Sequence, residues 1–205
     1  KNIKYFKTYL IYMSYKIGIL IPSTTKGLNC ESYKDAYLYK LFLKSFIKTY
    51  DKKYNEKDIQ YTIYVVVDDD DEIYSKENEK NKIISFIQLV KNVSIQFLSS
   101  KGIPKGWVTK MWNRAFKKAY DDGCDFFYQC GDDIEFLDNE WVIDCIKAME
   151  KNKNTGITGP IDWGREQHKI ITGNGKFILT QTFVSRKHMD HFGFYFPEEI
   201  KNWFC

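Results

Sequence analysis

Three apolar runs, each ending abruptly in oxygen-bearing side chains, limit what this chain can fold into. The strongest is Ile59–Val67 (IQYTIYVVV), which leads straight into Asp68-Asp69-Asp70-Asp71-Glu72. Its β-branched and aromatic residues favour a strand. Near-continuous apolarity is what a strand buried on both faces requires. Ile17–Pro22 (IGILIP) is a shorter run of the same kind, followed by the polar stretch Ser23-Thr24-Thr25-Lys26-Gly27. The third begins at Phe126-Phe127-Tyr128-Gln129 and passes through Cys130-Gly131 into Asp132-Asp133-Ile134-Glu135, three carboxylates within four positions.

Helical periodicity fills the intervals. Apolar positions recur at helical spacing over Ser32–Tyr50, Lys80–Val90, Trp107–Tyr120 and Asp138–Lys151. Val93–Leu98 (VSIQFL) is a further strand, Gly156–Pro160 a short strand or turn, and Lys176–Phe183 another strand. This alternation predicts an α/β fold with a mostly parallel central sheet flanked by helices on both faces. At 205 residues the chain suffices for one such domain with a sizeable core. That domain is expected over residues 17–205, with residues 1–16 an N-terminal extension. Lys1–Tyr12 is basic and aromatic but lacks the apolar region and small-residue cleavage site of a signal peptide.

Composition narrows the function classes. Hydrophobic content of 43% and charged content of 28% read as a globular protein. The net charge of +4 is mild and the lysines are dispersed, which argues against a nucleic-acid partner. A small positive balance still favours an anionic, phosphate-bearing substrate. The five cysteines form no C-x-x-C pair, so neither a disulfide framework nor a zinc site is indicated. Reduced thiols fit a cytoplasmic location. No run approaches the roughly 20 apolar residues of a membrane span.

Ligands of open α/β sheets bind beyond the carboxyl ends of the strands. Acids from separate strands are therefore expected to converge on one rim. Two carboxylates ~4 Å apart repel by about 1 kcal/mol in bulk water and ~4 kcal/mol at a protein-surface dielectric. A cation offsets that cost, and all-oxygen ligands suit Mg²⁺ or Mn²⁺. The alternative is a solvated acidic turn. Asp68, Asp69 and Asp70 are placed for ribose hydroxyls or a base edge, or are simply solvated. The hydroxyls and backbone N–H groups after the first strand suit a nucleotide. Lys110 and Arg114 stand four apart near a helix start, on one face, where a phosphate is attracted. Solvent-facing charge is the competing reading. His188 and His191 flank Asp190, so either histidine is a candidate third metal ligand or a structural residue. Asp162–His168, with Trp163 and Gly164, has the look of a binding loop.

The order of these features, with the block Gly106–Glu135 (GWVTKMWNRAFKKAYDDGCDFFYQCGDDIE), resembles nucleotide-sugar glycosyltransferases of the GT-A fold, and looks most like the family-2-type branch. The resemblance covers roughly Ile17 to Cys205. It implies metal-dependent transfer of a sugar from a nucleoside-diphosphate donor, UDP-type, to a hydroxyl of a glycan, protein or small molecule. It implies that Asp68 and Asp69 meet the base and ribose, that Asp132 meets the ribose or diphosphate, and that Pro22, Ser23, Thr24 and Asp70 also belong to the nucleotide-sugar site. Asp133 would ligate Mn²⁺ or Mg²⁺, with Glu135 as second acid, as in a D-x-D motif. Lys110 or Arg114 would neutralise the diphosphate. The acceptor-activating acid usually follows a G-G-F segment, which Gly193-Phe194 resembles. Glu198 and Glu199 follow it early, so the domain is expected to be cut short, with Asp190 a weaker candidate base. Two other readings stay open: a nucleotidyltransferase that makes sugar nucleotides, and a non-catalytic nucleotide- or carbohydrate-binding module. A nucleotidyltransferase normally carries a Gly-rich basic loop after its first strand, and Ser23–Gly27 has one Gly and one Lys. The sugar, the acceptor and the anomeric outcome are not specified.

Overall fold

A computed structural model describes residues 14–50, 59–163 and 179–202. Five strands form one sheet: β1 (Tyr15–Ser23), β2 (Ile59–Val67), β3 (Val93–Ser99), β4 (Phe126–Gln129) and β5 (Thr182–Ser185). Their order is β3-β2-β1-β4-β5. The first four are mutually parallel, and β5 runs antiparallel to β4, with Phe126 opposite Ser185. The α/β architecture with a mostly parallel sheet is thus the one expected. β1 starts at Tyr15, two residues inside the segment read as an extension. β5 begins later than the strand read at Lys176–Phe183, whose first residues lie outside the described part.

The helices are α1 (Lys44–Lys48), entered from a π-helical turn at Leu38–Leu43, α2 (Glu77–Ile87), α3 (Val108–Asp121), α4 (Trp141–Lys151) and α5 (Arg186–Phe192). Two separate cores explain why the central strands are apolar throughout. On one face Ile17, Ile19 and Ile21 pack with Phe42, Phe46, Ile83, Ile87, Trp141 and Ile146. On the other, Leu20, Tyr64, Val66 and Phe127 pack with Trp112, Ala115, Phe116 and Met189. Helices therefore cover both faces. Ile17, Ile19, Leu20 and Ile21 have no exposed surface. Truncating any one to Ala would cost about 2–5 kcal/mol.

α3 lies close against β1. A Cβ added to Gly18 would stand 2.8 Å from the Cβ of Ala119, so glycine is required there. Trp112 Nε1 donates to the Cys130 carbonyl at 3.0 Å and ties α3 to the segment just after β4.

Candidate functional site

Four parallel strands end at one rim of the sheet. Ser23, Val67, Ser99 and Gln129 are their last residues, and Ser23 pairs with Val67 and Val67 with Ser99. The sequence-predicted acids follow β2 and β4 directly, so the topology alone gathers them there.

The acids after β2 are already satisfied by the protein. Asp68 accepts from Lys26 Nζ at 3.2 Å and from Ser100 Oγ at 3.2 Å. Asp69 accepts from Ser99 Oγ at 2.5 Å. Asp70 pairs with Lys26 and with Lys105 at 3.0 Å, and these two ammonium groups lower its pKa to about 2. Asp71, which has no exposed surface, accepts from the Thr25 N–H at 2.6 Å, the Thr25 hydroxyl at 2.7 Å and the Thr24 hydroxyl at 3.1 Å. The Ile73 and Tyr74 N–H groups complete its shell at 3.0 and 2.9 Å. Burial pushes the Asp71 carboxyl up, but this shell outweighs it and holds the pKa below the ordinary value. The run thus fastens the loops after β1, β2 and β3 to one another. Asp71, Lys26 and Lys105 were not singled out in the sequence. The first is one Asp among four in a row, and only burial tells it apart.

The acids after β4 are in a different condition. Asp132 accepts from Ser23 Oγ at 2.5 Å, and Ser23 in turn shares a hydrogen bond with the buried Tyr74 hydroxyl at 3.0 Å. Burial raises the Asp132 pKa to about 6; the neighbouring Asp133 adds to the rise and the Ser23 hydroxyl opposes it. Asp133 folds back over the chain, so a Cβ on Gly131 would lie 2.5 Å from its Oδ1. Glycine at 131 makes that approach possible. Among the described residues, Asp132, Asp133 and Glu135 form no ion pair.

Recesses open at this rim, among them one of about 240 Å³ lined by Thr25, Lys26 and Asp70. One of about 350 Å³ is lined by Asp133 and Glu135 with Tyr128 and Trp141. Another of about 310 Å³ is lined by Asp68, Asp69, Tyr74 and Lys80. Asp68 and Asp133 therefore do not share a single cleft. Their recesses are linked through Tyr74, Ser23 and Asp132.

The remaining candidates are scattered. Pro22 is the last but one residue of β1, and Thr24 bonds Asp71. Lys110 sits 4.5 Å over the Trp107 ring at the start of α3, with Lys201 5.3 Å from the same ring. Arg114 is spent on the carbonyls of Ser99 and Lys101, so it shapes the loop after β3 and points no free guanidinium at the rim. Asp190 accepts from Tyr120 at 2.7 Å, beside the last turn of α3 and the start of β4. That is the opposite end of the sheet from the acids, which removes it as an acceptor-activating base. His188 is packed among Phe116, Phe192 and Tyr195 and bonded to the backbone of Phe194 and Tyr195. Desolvation chiefly lowers its pKa. The expected set of Asp133, Glu135 and His188 is not assembled: no group of three or more His, Cys, Asp or Glu able to hold a metal ion occurs among the described residues. His191 is exposed on α5.

Glu198 and Glu199 are exposed and do lie at the acid-bearing rim. Thr109, in the first turn of α3, bonds the carbonyls of Ile200 and Lys201. Asn113 caps the Tyr195 and Phe196 N–H groups at 2.9 Å each and donates to the Phe196 carbonyl at 2.8 Å. Asn113 of the N-x-A pattern is therefore the clamp that seats this segment against α3. Of the loop read at Asp162–His168, residues from Gly164 onward lie outside the described part. Cys30, Cys124, Cys130 and Cys145 are free thiols, and no described helix is long and apolar enough to cross a membrane.

No family model matches the chain, and no curated protein matches it. Among solved structures it is similar to a 4-diphosphocytidyl-2C-methyl-D-erythritol synthase from Anaerococcus prevotii, at 14% identity and a TM-score of 0.47, over 90% of this chain and 79% of that one. It is also similar to a protein described as a nucleotide-diphospho-sugar transferase from Desulfovibrio desulfuricans, at 17% identity and a TM-score of 0.47. That match covers 85% of this chain and 65% of the other, just under two thirds of its length. Likenesses at this level leave the activity to be argued from the side chains.

Proposed function

We propose that the chain binds a nucleoside-diphosphate sugar at the carboxyl rim of its sheet and transfers the sugar to a hydroxyl acceptor, as a GT-A-type glycosyltransferase. The observation that carries this reading is that Asp132, Asp133 and Glu135 form no ion pair among the described residues, beside a recess of about 350 Å³, whereas Asp68, Asp69, Asp70 and Asp71 are all satisfied by protein partners. The chemistry of the donor set fits Mn²⁺ or Mg²⁺. Such ions are commonly held by one or two carboxylates and completed by substrate phosphate oxygens and water. Asp133 and Glu135 are the residues that would hold it, with Asp132 steadied by Ser23. When bound, the ion would act as a Lewis acid on the leaving diphosphate oxygen.

The rest falls to the chain itself. Asp68 and Asp69 line the recess of about 310 Å³, which would take the base and ribose, and Lys110, over the Trp107 ring at the start of α3, would meet the diphosphate. In the transfer, the bond from the anomeric carbon to the diphosphate oxygen breaks and a bond to the acceptor oxygen forms. The acceptor proton goes to a carboxylate, for which Glu198 and Glu199 are the rim candidates in this sequence. A thermal-shift panel of nucleotides and UDP-sugars, with and without Mn²⁺, tests the reading. Ligands that bind only the folded state raise its apparent stability. The expected result is a Mn²⁺-dependent shift with UDP or a UDP-sugar that Asp133→Ala abolishes. Survival of the shift in that variant removes the metal assignment. Pyrophosphate release from a nucleoside triphosphate would instead make the chain a nucleotidyltransferase, and binding without turnover would make it a non-catalytic module.

A further inference from the structure

The helical stretch from Leu38 to Lys48 has two contrasting sides. Leu38, Phe42 and Phe46 enter the core. Lys40, Lys44 and Lys48 follow one another at four-residue spacing on the outward side and are exposed. From Ala36 to Tyr50 the sequence holds no Asp or Glu. Among the described residues none of the three lysines is in an ion pair. Two of them lie over rings instead: Lys40 Nζ is 4.8 Å from the Tyr37 centroid and Lys44 Nζ 5.1 Å from that of Tyr39. Tyr39 is braced against Phe86 of α2 at 4.9 Å. The cations of α2 are in another condition, since Lys80 and Lys82 are paired with Glu77 and Glu79. Asp35, whose charge reaches Lys40, accepts from the Ser32 and Glu31 N–H groups at 3.0 and 3.1 Å. The Tyr50 hydroxyl donates to the Lys91 carbonyl at 2.7 Å, so the turn after α2 abuts the C-terminal end of this stripe. That turn carries Lys91, also exposed, and Leu89, which is 83% exposed.

We propose that this face docks the protein on an anionic lipid bilayer. The inference is independent of the transferase reading and uses none of the rim residues. Clustered lysines on a helix face suit a negatively charged membrane surface. Three unpaired lysines with no acid among them, in a chain whose net charge is only +4, concentrate the positive field on this flank. Tyrosine rings favour the boundary between headgroups and acyl chains. Duplex DNA or an acidic peptide would match the charge but leave Leu89 in water. A bilayer accommodates both, with headgroups for the ammonium groups and an apolar layer beneath them for Leu89. The C-terminal end of the stripe lies beside the start of β3, the end of the sheet remote from the acidic rim. Docking there leaves the rim open to solvent.

The test is co-sedimentation of the full chain with vesicles of phosphatidylcholine alone or mixed two to one with phosphatidylserine. Only the mixed vesicles should bind, and binding should fall at least about tenfold in 0.5 M NaCl as the charges are screened. Each lysine brought to such a surface strengthens binding about fivefold, so Lys40→Gln, Lys44→Gln and Lys48→Gln together should weaken it by at least about tenfold. A charge-matched control, Lys117→Gln, Lys147→Gln and Lys151→Gln, should bind like the parent. Leu89→Ser should weaken vesicle binding several-fold and leave the urea unfolding midpoint unchanged. All six lysines are exposed, so both triple variants should also keep that midpoint. Equal binding to the two kinds of vesicle, equal loss in the two triple variants, or indifference to Leu89→Ser would each overturn the proposal. Tighter binding of duplex DNA or a polyglutamate peptide, lost in the Lys40, Lys44 and Lys48 variant, would overturn it in favour of a nucleic-acid or acidic-protein partner.

Discussion

The two acidic stretches at the rim look alike as sequence and differ as structure. After β2, every acid from Asp68 to Asp71 has a protein partner: ammonium groups for Asp68 and Asp70, a hydroxyl for Asp69, and a closed shell of five donors for Asp71. After β4, Asp132 has the Ser23 hydroxyl, and among the described residues Asp133 and Glu135 have no ion pair. The first stretch is used to fasten loops. The second keeps its negative charge available, and the raised pKa of Asp132 records the cost of doing so. A count of carboxylates would have ranked the β2 stretch first as a cation site; the partners reverse that order.

The largest expected effect tests whether the β2 stretch is structural. Asp71→Ala would strand the buried N–H groups of Thr25, Ile73 and Tyr74. Each unsatisfied buried donor costs about 1–3 kcal/mol, so urea unfolding should show a loss of at least about 3 kcal/mol. A loss within experimental error would mean the shell is not what holds these loops.

Next comes the β4 stretch, through its pH dependence. The folded-state pKa of Asp132 is raised from 3.8 to about 6. A raised carboxyl favours the folded state while protonated. Its contribution is therefore full below about pH 4 and is lost as pH rises through 6. Asp132→Asn should leave stability unchanged at pH 4 and add roughly 2–3 kcal/mol at pH 8, at about 1.4 kcal/mol per unit. Parallel stability curves from pH 4 to 8 for the two proteins would show that Asp132 carries no such strain.

The smallest effect concerns Asp70, whose partners Lys26 and Lys105 are exposed. Exposed pairs contribute little and are screened by salt. Asp70→Asn should leave the unfolding midpoint within error, with any low-salt difference gone in 1 M NaCl. A large, salt-insensitive loss would place Asp70 with Asp71 instead of at the solvated margin.

Much of the scaffold was legible because burial on both faces writes itself as apolar runs. Ile59–Val67 was read end to end, and the helix over Val108–Asp121 differs from its sequence reading by one residue at each end. α5 was not read, because RKHMDHF has only Met189 buried and shows no apolar stripe. Start points also slipped: Glu77–Ile87 begins three residues before the apolar spacing that suggested it. At the site, the sequence told which strands would deliver acids to the rim, but not which acids would find partners. Those partners are Lys26 from the loop after β1 and Lys105 from the loop after β3, 42 and 35 residues from the acids they meet. Asp190 and His188 misled for the same reason. Their residue types suggested chemistry, while Tyr120 and an aromatic cluster had already claimed them.

The tight seat of Gly18 against Ala119 carries a consequence for the whole rim. A single methyl group at mid-sheet would act as a wedge, levering α3 outward from its far side. Because Trp112 on that helix grips the carbonyl immediately before Gly131, the displacement would travel to the carboxylates without touching them. Position 18 therefore acts as the fulcrum of a lever whose working end is the acidic turn.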